Sequence, residues 1–170
     1  MDKKHTRRKK ISDNAKATLL RWWIVGMCYF MIGFGTQAGG YTSPIDLIFF
    51  LGVGIGLATI VVYNPIAYNV FDIVRGGEIV NHRYRNKKGW QRALQTLGDL
   101  GLSMLVVILV YLSYQNINLF LVGLGLSPET VVVAGEPFGF ATLYTLFYSA
   151  ITGLTDKLRA IRTGSATVCK

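Results

Sequence analysis

The chain has 170 residues, a formal net charge of +9, 51% hydrophobic residues and only 16% charged residues. About 25% charged is usual for a soluble domain, and the charges here are clustered, with long uncharged runs between them. That pattern excludes an ordinary soluble domain, and it argues for a chain that crosses a membrane with runs of roughly 20 apolar residues.

The location of the basic residues accounts for the net charge better than nucleic-acid binding does. All 18 Lys and Arg fall in three places: eight from the N-terminus to Arg21, six between Arg75 and Arg92, and four from Lys157 onward. The two other connections carry only Asp46, Glu129 and Glu136 among charged residues. The positive-inside rule then predicts that both termini and the central basic stretch are cytoplasmic. The predicted fold class is an all-α integral membrane protein. Four transmembrane helices form two hairpins joined by a basic cytoplasmic linker, in the plasma (inner) membrane of a bacterial-type cell.

In chain order, residues 1–16 read as a disordered basic tail, because KKHTRRKK cannot bury itself. Beside a membrane helix such a tail orients the chain and attracts anionic headgroups. Residues 17–72 form the first hairpin. Arg21, Trp22 and Trp23 mark its inner edge, since Arg snorkels and Trp prefers the headgroup level. A cleaved signal peptide ending near Thr36-Gln37-Ala38 is the competing reading, but the uncharged run from Trp22 to Tyr41 is longer than an ordinary h-region. Gly39 to Pro44 reads as a short outer turn, and Asp46 suits the first turn of the next helix.

The second segment starts near Leu47 and is expected to stay helical to Val74, where Gly76-Gly77 stops it. Gly52 and Gly56 form a GxxxG pair, which lets another helix backbone approach closely. Spacing alone does not say whether that helix belongs to this chain or to a second copy. Pro65 removes one helical hydrogen bond and predicts a kink, with Asn64 and Asn69 adding polar groups at that level.

Residues 73–98 are the basic linker. Glu78 to Asn86 reads as irregular or briefly extended. Lys87 to Leu97 reads as a short amphipathic helix with Trp90, Leu94 and Leu97 on one face. Arg83, Arg85, Lys87, Lys88 and Arg92 are the candidate contacts to lipid or to a partner protein. Residues 99–156 form the second hairpin. Its third helix is expected to end near Asn116, with Leu119 to Leu126 as an apolar outer loop packed on the bundle. The fourth helix runs from Pro137 to Thr155. Ala141, Thr145, Ser149 and Gly153 make a stripe of small residues every four positions, suited to helix packing. Phe140, Tyr144 and Tyr148 make an aromatic stripe that fills the bundle. Residues 157–170 read as a cytoplasmic tail.

Arg21, Asp72, Asp99 and Asp156 fall at similar depth near the inner ends of the four helices. Ionisable groups there invite a functional hypothesis such as a ring at a pore mouth. The alternative is local pairing: Asp72 with Arg75, Asp156 with Arg159, and Asp99 with Arg21 across the bundle. No GxxxxGK[ST], HExxH, CxxC or GxSxG occurs. His5 and His82 sit in basic, solvated stretches, and Cys28 and Cys169 are expected to be too far apart for a disulfide. No enzyme activity, cofactor, metal or nucleic-acid partner is therefore expected. The expected function is a structural or assembly subunit of a larger membrane complex. A homo-oligomeric channel, a transporter component or a holin-like pore former is the alternative.

Overall fold

A computed structural model of the chain describes residues 12–40, 43–75, 78–79, 89–125 and 136–167. Long apolar runs without internal proline favour uninterrupted helix, and four helical stretches dominate. These are α1 (Asp13–Ala38), α2 (Pro44–Ala58) continuing through a π turn (Thr59–Tyr63) into α3 (Asn64–Val70), α4 (Gly89–Gly123) and α5 (Glu136–Thr167). A two-residue antiparallel ladder, β1 (Val74–Arg75) with β2 (Glu78–Ile79), pairs Val74 with Ile79 and Arg75 with Glu78. By length and composition α1, the α2–α3 rod and α4 can each cross a membrane. The fourth helix carries Thr142, Tyr144, Thr145, Tyr148, Ser149 and Thr152, whose hydroxyls make it less apolar than the other three.

Contacts run α1 to α2, α2 to α4, α4 to α5 and α5 back to α1. Later residues of one helix meet earlier residues of the next, so neighbours pack antiparallel. The centre is filled by Val25, Leu51, Ile55, Val106, Val107, Val110, Phe140, Ala141, Tyr144 and Tyr148. The outward faces are aliphatic and aromatic, as with Phe30, Met31 and Phe34 of α1 and Leu105 and Leu112 of α4. In water such a surface would drive aggregation; against lipid it is at rest.

Several boundaries differ from those expected of the sequence. The first helix starts at Asp13, inside the stretch read as a disordered tail. The Ser12 hydroxyl accepts from the Ala15 N–H at 3.3 Å, and Lys16 pairs with Asp13 at 2.7 Å. This cap and first-turn carboxylate extend the helix by a turn. The second rod ends at Val70 rather than Val74. Phe71 turns extended, at φ −116° and ψ 138°, which lets Ile73 bury against Ala17, Tyr63 and Ala67 and lets Val74 join β1.

The amphipathic stretch and the third membrane segment are one helix. Gly98 and Gly101 do not interrupt α4, because neither is followed by a proline or a competing cap. Nor does it end near Asn116. The Asn116 side chain donates to the Leu112 carbonyl at 2.8 Å, and Gln115 donates to the Tyr111 hydroxyl at 3.0 Å. Satisfied along their own helix, these amides do not break it. The helix stops only where Gly125 adopts a left-handed φ of 87°, a conformation open to glycine. Leu119 and Phe120 are consequently exposed on helix and not packed on the bundle as a loop. The fourth helix likewise runs on to Thr167, through the first part of the expected tail.

Ahead of Pro65 the hydrogen-bond ladder changes through a specific device. One residue ahead of it, the Asn64 N–H donates to the Thr59 carbonyl, an i to i−5 bond. The π turn widens the helix where the proline ring would otherwise press on the carbonyl of Val61.

Candidate functional site

The polar groups gather at the end of the bundle where α1 begins. An aromatic ladder leads to them along the inside. Tyr29 stacks on Phe140 at 4.6 Å between ring centroids, Phe140 on Tyr144 at 6.4 Å, and Tyr144 on Tyr148 at 6.2 Å. The i to i+4 spacing of Phe140, Tyr144 and Tyr148 puts these rings on one face of α5. The ladder ends on Arg21. Its guanidinium carbon lies 3.6 Å from the Tyr148 ring centroid and 4.2 Å from that of Tyr63. A guanidinium held between two rings gains cation–π attraction, about 2 kcal/mol or more when desolvated.

Arg21 is only 7% exposed, and its Nε is buried with no hydrogen-bond acceptor. Rings satisfy the faces of a guanidinium but not its N–H edge. Beside it is a cleft of about 210 Å³ formed by α1, Tyr63 and α5, with Asn14, Thr18, Ser149, Thr152 and Asp156 in its wall.

Two further polar pairs link the helices. The Asn64 amide donates to Asp99 Oδ2 at 3.0 Å. The buried Tyr144 hydroxyl donates to Ser103 Oγ at 3.0 Å. Beyond these pairs the interior is the apolar packing around Val106, Val107 and Val110. Tyr144→Phe is expected to lower stability by about 0.6 kcal/mol, typical of a hydrogen bond between membrane helices. Unfolding in mild detergent, in a cycle with Ser103→Ala, measures the coupling. Additive effects would show that the bond contributes nothing.

Of the four charges, Arg21 and Asp156 line one cleft, and the expected pairing of Asp99 with Arg21 is replaced by other contacts. Asp99 bonds Asn64, while Arg21 lies on tyrosines. Both Asn64 and Arg21 are buried, and Asn64 is the donor that α3 offers to α4 at this level. Asp156 shares the cleft with Arg21. The Asp72 N–H meets Asp13 Oδ2 at 3.4 Å. The side chains of Arg75 and Arg159, the expected partners of Asp72 and Asp156, lie outside the described residues. So do Arg83, Arg85, Lys87 and Lys88. Arg92 is exposed on α4.

The packing residues have partners within the chain. A Cβ on Gly52 would stand 2.5 Å from Met104 Sδ and 3.3 Å from Met104 Cα. One on Gly56 would stand 2.5 Å from Leu100 Cδ1. The GxxxG face is therefore the seat of α4. The small stripe of α5 divides in two. Ala141 packs towards Gly26, and Thr145 is buried with its hydroxyl on the Ala141 carbonyl. Ser149 and Gly153 instead open onto the cleft.

The aromatic sandwich around Arg21 was missed from sequence. Its signal was the stripe of Phe140, Tyr144 and Tyr148 together with an arginine one turn inside an apolar helix. Among the described residues no three His, Cys, Asp or Glu side chains converge as a metal site. Compared with known proteins, the chain matches no family model, no curated protein and no solved structure.

Proposed function

We propose that this chain is a non-catalytic polytopic subunit or assembly factor of a larger complex in the plasma (inner) membrane, built as two transmembrane hairpins with both termini and the basic linker in the cytoplasm. One observation carries the reading. The first turns of α4 expose Trp90, Leu94 and Leu97, with Trp90 80% accessible, beside Arg92 and directly after the basic run Arg83 to Lys88. An apolar face next to a cluster of positive charge, on a helix continuous with a membrane span, suits docking to a membrane-bound partner or to an anionic headgroup layer.

The alternative, a homo-oligomeric channel or holin-like pore former, needs a seam between copies. The Gly52/Gly56 face is already taken by α4, so a pore would have to form on another surface.

Extraction of the native complex in mild detergent, with its mass and composition measured, tests the proposal. The expected result is unrelated chains in fixed ratio, lost on charge reversal of Arg83, Arg85, Lys87 and Lys88 while membrane insertion persists. A particle made only of copies of this chain would sink the subunit reading and favour the pore.

A further inference from the structure

The outward face of α4 is built unlike those of α1 and α2. Those carry bulky side chains, such as Trp23, Phe30 and Phe34 or Phe49 and Leu57. On α4, opposite the buried Ser103, Val106 and Val110, the exposed Leu94, Leu105, Ile108, Leu112, Leu119 and Val122 form a stripe of aliphatics. Exposed Gly98, Gly101 and Gln115 fill its remaining places, so the steps alternate four and three residues from Leu94 to Val122. That is the a/d spacing of a two-helix seam, sustained here over about 42 Å of helix.

Exposure at helical spacing is what any lipid-facing helix shows. Three further features single this stripe out. The first is its glycines. A Cβ on Gly98 or Gly101 would meet nothing within 4 Å, so neither serves packing among the described residues, in contrast with Gly52 and Gly56. Each costs the helix about 1 kcal/mol relative to alanine. On an outward face, small residues let a backbone from outside come close.

The second feature is Gln115. Its Nε2 donates to the Tyr111 hydroxyl, and its carbonyl oxygen has no donor among the described residues. A second amide hydrogen is also left over. Acyl chains satisfy neither group, whereas the same amide on another copy satisfies both. The third is reach. The register that sets Gly52 against Met104 and Gly56 against Leu100 brings Pro44, the first residue of α2, level with Leu112. The stripe runs on past that level, through Leu119 and Val122.

The same features select the occupant. The stripe and the residues flanking it, among them Leu97, Leu102, Leu109 and Tyr111, carry no charge. Two copies of a strongly basic chain therefore meet there without like-charge repulsion. A two-fold axis sets each residue against itself, glycine on glycine and Gln115 on Gln115. A single polar residue in such a seam fixes its register.

We infer that α4 pairs with α4 of a second copy through this stripe, parallel and crossing at about 20°. The inference rests on the membrane placement, which orients both copies alike, and not on the identity of any other subunit.

The test uses the purified full chain in phosphatidylcholine vesicles. Donor- and acceptor-labelled copies are mixed, and energy transfer is followed as lipid dilutes the protein. Wild type is expected to associate, with transfer rising linearly with acceptor fraction as a dimer requires. Gly101→Leu adds its side chain in open space, so it is expected to melt in detergent no lower than wild type while pairing weakens about tenfold or more. Gln115→Leu loses only the amide bond and is expected to weaken pairing about threefold. Gly35→Leu makes the same change at an equally open, exposed position of α1 and is expected to leave transfer unchanged.

A monomeric wild type overturns the inference. So does association that Gly101→Leu leaves intact or that Gly35→Leu weakens equally. A wild type that stays monomeric in vesicles, but whose Gly101→Leu variant loses an unrelated chain from the native complex, overturns it too and assigns the stripe to that chain. Alkaline carbonate extraction of native membranes is a separate readout. A chain that stays in the pellet keeps the membrane reading whatever the energy transfer, and a chain released to the supernatant removes it.

Discussion

Gly56→Leu is expected to abolish the folded bundle. The added branch would start 2.5 Å from Leu100 Cδ1 and 3.4 Å from Leu100 Cα, with Ser103 Cβ at 3.5 Å. The Leu100 methyl can rotate away, but the α4 backbone behind it cannot. Pushing one extra methylene into a packed interior costs typically 1–3 kcal/mol, and leucine adds four carbons. Without a hydrophobic force between helices in lipid, close packing is the main attraction available. Forcing α4 off α2 therefore forfeits the most extensive helix contact among the described residues, together with the Asn64–Asp99 bond. Gly56→Ala is the milder control, expected to lower stability by about 1–3 kcal/mol. Thermal unfolding in detergent measures both. A Gly56→Leu protein that melts like wild type but no longer self-associates would show that the GxxxG face meets a second copy instead.

Arg21→Met is expected to act in the opposite direction, raising stability by about 1–2 kcal/mol. A buried guanidinium loses several kcal/mol of hydration, and here the two tyrosine rings return only part of it. Methionine fills a similar volume, contacts aromatic rings favourably and has no N–H edge to satisfy. Melting in detergent measures the change. A lower melting temperature for Arg21→Met in the absence of lipid would show that the sandwich is structural.

Much of the architecture was legible because its causes are local. The apolar runs and Asp46 in the first turn of α2 follow from composition and backbone chemistry within a few residues, although α2 begins at Pro44, ahead of the expected Leu47. The helix ends were less legible where side chains bond back to their own helix. Asn116 looks like a surface residue in sequence, yet it satisfies itself on the Leu112 carbonyl and α4 continues. Arg21 shows a third case. The sequence suggests a pairing with Asp99, and its place on Tyr63 and Tyr148 could not be read, because these residues meet only when three helices are packed side by side. The same holds for the partner of the GxxxG face. Spacing says that a backbone can come close, and only packing says that it is α4.

The unbroken course of α4 has a mechanical consequence. Its 35 residues make a rod about 52 Å long, against a bilayer core of about 30 Å. The rod therefore protrudes from any membrane it crosses, and its two ends cannot move independently. A break at Gly98 would have let the turns that carry Trp90, Leu94 and Leu97 take a direction of their own; in one unbroken helix they keep that of the apolar run.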